Sequence, residues 1–329
     1  MEKQRYALVK RNYLVPFVLV TSLFFLWGFA HAILDVLNKH FQEVLDITRT
    51  YSAMVQVLFY LGYFVMAVPA GLFITKYGYR RGVVLGLLLY GVGSLMFVPG
   101  EYWMSFEFFL LSLFVIACGL VFLETAANPY MTELGDRETA ASRLNLAQSF
   151  NGLGAFIAAM FLSKLILSGT HYTRDTLPVD YPGGWQAYIQ LETDAMKLPY
   201  LILAILLIAI AVVFVFSKLP KIGDEGETAS SDKTTSLGKT KEGSQKEKLI
   251  DFGVLKHSHL RWGVIAQFFY NGGQTAINSL FLVYCCTYAG LPEDTATTFF
   301  GLYMLAFLLG RWILSLIHIS EPTRRSYIS

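Results

Sequence analysis

Eight separate stretches of this chain are apolar over lengths that match a lipid bilayer, and this pattern limits the possible folds more than any other feature. A helix needs about 20 largely apolar residues to cross the hydrocarbon. The stretches fall near 13–38, 51–75, 82–99, 105–130, 142–168, 198–217, 260–288 and 297–313. Backbone groups in lipid must be satisfied within their own segment, so each stretch is predicted to be a helix. The expected class is an all-α integral membrane protein. The first stretch, from Tyr13 to beyond Leu34, is too long for a cleaved leader and lacks a small-residue exit, so it reads as an uncleaved first span. Short turns join most spans; the loop over 169–197 is longer and polar, with Pro178, Pro182, Gly183 and Gly184.

Lysine and arginine set the sidedness. Lys3, Arg5, Lys10 and Arg11 precede the first span; Lys76, Arg80 and Arg81 fill the turn after the second, and Arg137 and Arg143 flank the turn after the fourth. The segment 218–261 has eight lysines and Arg261, whereas the turns 100–104 and 289–296 have neither lysine nor arginine. Lys39 and Arg49 in the 39–50 turn are the exceptions. The alternation predicts a multi-pass protein of the bacterial inner membrane with its N-terminus in the cytoplasm.

Residues 218–259 are polar and rich in Gly, Ser, Thr and Lys, so they read as a flexible cytoplasmic linker. The expected organisation is a six-helix bundle over 1–217, the linker over 218–259, and two helices of a second bundle over 260–313. A transporter made of two six-helix halves has this layout. The tail 314–329, beginning Leu-Ser-Leu-Ile-His-Ile-Ser-Glu-Pro, resembles a translated sequencing adaptor and is expected to be foreign to the protein. About four further helices are expected to complete the second half, and a polypeptide lacking them should not accumulate a solute.

Composition excludes several alternatives. Net charge is only +2, giving no basic field for nucleic acid. Charged residues make up 15% of the chain, against about 25% in soluble domains. Cys118, Cys285 and Cys286 all sit in apolar runs without ligand spacing, so no metal or cofactor is expected. No Ser/His or His/Asp cluster at a membrane face points to an enzyme, and no folded soluble domain points to a receptor.

Polar side chains inside spans mark function by default, because a carboxylate at the bilayer centre costs about 2.5–3.5 kcal/mol. Asp35 lies late in the first span and Glu124 in the fourth. Corresponding helices of inverted three-helix repeats meet at a central site, so the two are candidate proton-coupling groups, with Glu124 also a candidate substrate ligand. Asp35 could instead pair with Lys39 one turn away. In the fifth span Asn145, Gln148, Asn151, Gly152, Ala155 and Ala159 form one stripe, and in the seventh Gln267, Asn271, Gln274 and Asn278 do the same. Amides pair donors with acceptors and suit a neutral polyhydroxylated ligand, although they also bridge packed helices. Asn128, His31 and Trp27 are further candidate ligands, and Trp27, Tyr60 and Phe24 are candidate stacking surfaces for a sugar ring. His31 could equally join a proton relay. Pro16, Pro69, Pro129 and Pro199 are expected at helix ends or kinks.

The segments FFLWGFAHAILDVLNKHF, FYLGYFVMAVPAGLF, LETAANPY, RLNLAQSFNGLGA and AQFFYNGGQTA resemble the bacterial fucose–galactose–glucose:proton symporters of the major facilitator superfamily, most closely the L-fucose permease branch. LETAANP followed by RLNLAQSFN is the most specific part. The resemblance implies a twelve-helix major-facilitator fold, alternating access, and import of L-fucose or a related hexose with protons; the protein is expected to be a monomer. It implies protonation and coupling at Asp35 and Glu124 and sugar contacts from Gln148 and Asn151. His31 and Ala32 stand where the branch has two consecutive amides, and Ile33 and Leu34 bring no further one. GLFITKYGYRR resembles the superfamily's cytoplasmic signature, with Thr75 where an Asp is usual.

Overall fold

The computed structural model describes residues 8–44, 47–99, 105–158, 160, 172, 177–217 and 256–320. Eight long helices account for most of them: α1 Leu14–Val44, α2 Met54–Tyr77, α3 Tyr79–Leu95, α4 Phe106–Glu133, α5 Ala140–Ile157, α6 Gly184–Phe216, α7 Ser258–Thr287 and α8 Glu293–Ser320. Each coincides with one of the eight apolar stretches. The protein is a multi-pass, all-helical membrane protein.

Three boundaries differ from the sequence reading. The loop expected over 169–197 ends early, because α6 starts at Gly184 behind Gly183, whose φ of 82° stops any helix from continuing back. The polar stretch from Gly184 to Lys197 is therefore helical. α1 continues to Val44 and α8 to Ser320, past the expected limits near 38 and 313. Of the prolines expected at helix ends or kinks, Pro69, Pro129 and Pro199 lie inside α2, α4 and α6, and Pro16 lies in the first turn of α1. The linker 218–255 and the tail beyond Ser320 lie outside the described residues.

Among the described residues, six segments are long and apolar enough to cross a membrane: Arg11–Ala32, Thr50–Tyr77, Tyr79–Pro99, Phe106–Glu133, Lys197–Phe216 and Thr295–Ile313. α5 and α7, which carry the amide stripes, are outside that set, and of the span expected over 142–168 the described residues continue only to 158 and 160.

The chain forms two compact units, one of 1–220 with 299–329 and the other of 221–298. In the first, α1 packs along α5, α2 along α4, and α3 against both α4 and α6. Exchanging α1–α3 with α4–α6 carries the α1–α5 pair onto the α4–α2 pair, as an inverted repeat of three helices requires. Small residues let these backbones approach. A Cβ on Gly28 of α1 would strike the Asn151 carbonyl of α5, and one on Gly154 of α5 would strike the Phe25 carbonyl of α1. On the other pair, Gly62 of α2 faces Ala117 of α4 at 2.8 Å from its ideal Cβ. Lipid supplies no hydrophobic drive between helices, so close approach of this kind is what binds them.

One end of the first unit gathers the basic turns. The Lys10 ammonium pairs with Asp136 at 2.8 Å. Arg143, fully buried, donates to the carbonyls of Met131, Thr132, Asp136 and Leu8 and to the Thr139 hydroxyl. It thereby satisfies carbonyls at the C-terminal end of α4, which have no partner within the helix. Arg80 Nε donates to the Phe214 carbonyl at 3.0 Å and does the same for α6. In the second unit, α7 is a single long helix on which Gln267 and Asn271 are exposed and Gln274 and Asn278 half-buried.

Candidate functional site

Glu124 and Asn128 are one turn apart on α4, and both are half-buried. The Asn128 side-chain amide donates to the Glu124 backbone carbonyl at 3.2 Å, which fixes its orientation. Its oxygen then accepts from Gln148 Nε2 on α5 at 3.3 Å. Gln148 Oε1 in turn accepts from Arg311 Nη1 on α8 at 2.6 Å. The same Arg311 nitrogen also reaches the Gln148 carbonyl at 3.1 Å and Asn151 Oδ1 at 3.4 Å. Asn151 Nδ2 closes the series by donating to the Phe24 carbonyl of α1 at 3.3 Å. Four helices, α4, α5, α8 and α1, are thus joined through amides, with Arg311 of α8 as the charged donor.

The stripe on α5 has this face because its spacing of three and four keeps Asn145, Gln148, Asn151 and Gly152 together. Gly152 leaves room for α8, whose Leu308 lies 3.4 Å from the glycine's ideal Cβ position. Arg311, one turn beyond Leu308, therefore meets Gln148, one turn before Gly152. The sequence reading did not single out Arg311. An arginine at the end of the apolar run Leu302–Leu309 is an intramembrane charge, and that signal marks it as functional.

Beside this network lies an aromatic group on α1 and α2. His31 Nδ1 faces the Trp27 carbonyl at 3.2 Å, so it carries the proton and donates. The His31 ring packs edge-on against Phe59 at 5.3 Å, Tyr63 at 5.7 Å and Trp27 at 5.8 Å. Trp27 Nε1 and Tyr63 Oη are both buried, and the indole N–H is the polar neighbour of the phenol oxygen. The Glu124 carboxyl is an electrostatic neighbour of that tyrosine.

Other expected positions fall differently. Phe24 is 1% exposed, so it offers no face to a sugar; its backbone carbonyl serves the network instead. Tyr60 is at the surface of α2 and packs edge-on against Phe59 and tilted against Tyr63. The Asp35 backbone is helical, and its side chain lies outside the described residues, as does that of Lys39. On α7, Gln267 Nε2 donates to Asn271 Oδ1 at 3.3 Å. Thr75 donates to the Gly71 carbonyl at 2.9 Å, a bond within its own helix.

The sequence matches the Major Facilitator Superfamily over residues 17–327. The chain belongs to that superfamily. Among its superfamily relatives it is 35% identical to an L-fucose-proton symporter of Escherichia coli over 311 residues, covering 93% of this chain and 68% of the relative. It is also 35% identical to a glucose/galactose transporter of Brucella abortus, covering 92% of this chain and 67% of the relative. The crystal structure of the superfamily transporter FucP in its outward conformation superposes with a TM-score of 0.76 at 34% identity, covering 94% of this chain and 72% of that one. The eight-helix order, the packing of α1–α6 and the superfamily assignment therefore agree.

Proposed function

We propose that the protein is a secondary active transporter that imports a neutral monosaccharide, L-fucose or a related hexose, together with protons by alternating access. The observation that carries the reading is the amide series between Glu124 and Arg311. Asn128, Gln148 and Asn151 present donors and acceptors in pairs, as vicinal sugar hydroxyls require. Trp27 and Tyr63 add buried donors beside it. The relatives named above are sugar transporters, and L-fucose-proton symporters of two organisms are among the similar proteins.

The mechanism rests on charge balance. Glu124 and Arg311 stand at the two ends of the amide series, which meets Glu124 through its backbone carbonyl and Arg311 through its guanidinium. Protonating Glu124 turns it from an acceptor into a hydroxyl donor and leaves the arginine charge to be met by amide and sugar oxygens. Proton and sugar binding are then linked, each changing the affinity for the other by the same factor. Asp35 acts as a second proton-binding group on the helix that corresponds to α4. The amides Gln267, Asn271, Gln274 and Asn278 of α7 form a second polar stripe of the same kind.

Counterflow of labelled L-fucose, D-galactose and D-glucose in vesicles carrying the transporter tests the substrate class. Exchange of at least one, with competition among them, is the expected result. Exchange of an amino acid or organic anion with no effect of any sugar would sink the reading.

A further inference from the structure

A groove of about 770 Å³ runs between the start of α1 and the end of α6, away from the polar layer. Its walls are Val15, Pro16 and Leu19 on α1 and Val212, Val213 and Phe216 on α6. Phe216 is 81% exposed and Val15 66%, so the groove opens outward rather than into the bundle. Both walls belong to membrane-crossing segments, Arg11–Ala32 and Lys197–Phe216. At that depth the medium is hydrocarbon, and an open apolar groove there is filled by an acyl chain.

One end of the groove is different in kind. Asn12 and Ser217 close it where α1 begins and α6 stops. Arg11 stands at the first residue of its span and makes no ion pair among the described residues. Arg80 is anchored to the Phe214 carbonyl at the same end of α6, a bond that uses only its Nε donor. Lys10 adds a third cation, held at 2.8 Å by Asp136. Apolar walls that end in cations at the interface match one amphiphile, a chain in hydrocarbon with an anionic headgroup.

We propose that this groove is a binding site for one anionic glycerophospholipid, with an acyl chain against Val15 and Phe216 and its phosphate at Arg11 and Arg80. The competing occupant within the chain, residues 218–255, is rich in Lys, Ser, Thr and Gly and is poorly suited to apolar walls.

The test is retention of lipid by the purified full chain in detergent, read by native mass spectrometry. The probes are phosphatidylglycerol and phosphatidylcholine with identical acyl chains, offered together. The wild type should keep one phosphatidylglycerol in preference to phosphatidylcholine. Arg11→Ala should lower phosphatidylglycerol retention about fivefold and leave phosphatidylcholine unchanged. Val15→Trp, which fills the groove, should lower both lipids; Val212→Phe is the milder filler should the first fail to fold. Equal retention of the two lipids by the wild type overturns the proposal. So does wild-type phosphatidylglycerol retention by Arg11→Ala, or by a folded groove-filling variant. Deletion of 219–255 should change nothing, and a gain in retained lipid would mean that the linker occupies the groove instead.

Discussion

Arg311 Nη1 on α8 donates to Gln148 Oε1 on α5 at 2.6 Å, across 163 residues of sequence. A cation held by neutral amides at the edge of an apolar run is costly unless its acceptors are in place, and here they are also the residues best suited to a sugar. Arg311→Ala leaves Gln148 and Asn151 without their charged donor. Sugar affinity measured by equilibrium binding should fall about ten- to hundredfold, the range for a hydrogen bond to a charged group. Arg311→Lys keeps the charge without the planar fork and should fall between. Wild-type affinity in Arg311→Ala would reduce the arginine to a tie between helices.

Gly28 of α1 is one of two glycines at which α1 and α5 approach closely. Gly28→Ala would push a methyl group into the Asn151 carbonyl, and neither backbone can give way without parting the helices. A loss of about 1–3 kcal/mol is expected, as for overpacking elsewhere. The thermal midpoint in detergent should drop, and sugar affinity should drop with it, because Asn151 moves. The control Gly71→Ala, where an added Cβ meets nothing within 4 Å, should leave both unchanged.

Arg143 is fully buried and satisfies four carbonyls near the end of α4. Arg143→Ala strands them, with an expected cost of about 3 kcal/mol or more. Arg143→Lys recovers little, because a single ammonium cannot reach carbonyls spread over Met131–Asp136 and Leu8. Folded yield and thermal midpoint are the readouts; an unchanged midpoint in Arg143→Ala would show that these bonds are replaced by water.

Orientation follows from where the cations gather. Lys10, Arg80 and Arg143 tie the N-terminal segment, the α2–α3 turn, the α4–α5 turn and the α6 end together at one face. Positive residues favour the cytoplasm. Reporter fusions at Ser231 and Gly183 should give opposite compartments, the first cytoplasmic. The same compartment for both would contradict the alternation.

How far the site can be read from sequence depends on the range of each interaction. The amide stripe on α5 is legible because spacing alone puts Gln148 and Asn151 on one face. Glu124 is legible because a lone acid in an apolar run must turn away from lipid toward a polar interior. Arg311 is legible as an intramembrane charge, but its partner is not, since nothing near it in sequence points to Gln148. The burial of Phe24 is hidden for a related reason: aromatic character carries no sign of burial, and the close approach of α1 to α5 that buries it is a tertiary fact. The early start of α6 is masked by the polar composition of Gly184–Lys197, which suits an amphipathic surface helix as well as a loop. His31, open between a relay and a cavity wall, donates to its own helix and packs among rings, a placement set by Phe59 and Tyr63 on α2.

The central claim is that protons and sugar share the layer that Glu124 faces, and sugar-induced alkalinisation of the medium around de-energised vesicles tests it most directly. In the wild type, adding the transported sugar should raise the external pH in step with uptake. Asp35→Asn should abolish proton-driven accumulation while leaving some downhill exchange, since an amide mimics a neutral carboxyl. Glu124→Ala should lose sugar binding with the lost hydrogen bond. Glu124→Gln is the decisive variant: the account predicts that it still exchanges labelled sugar but gives no pH change. A normal rise in pH from Glu124→Gln would contradict the account.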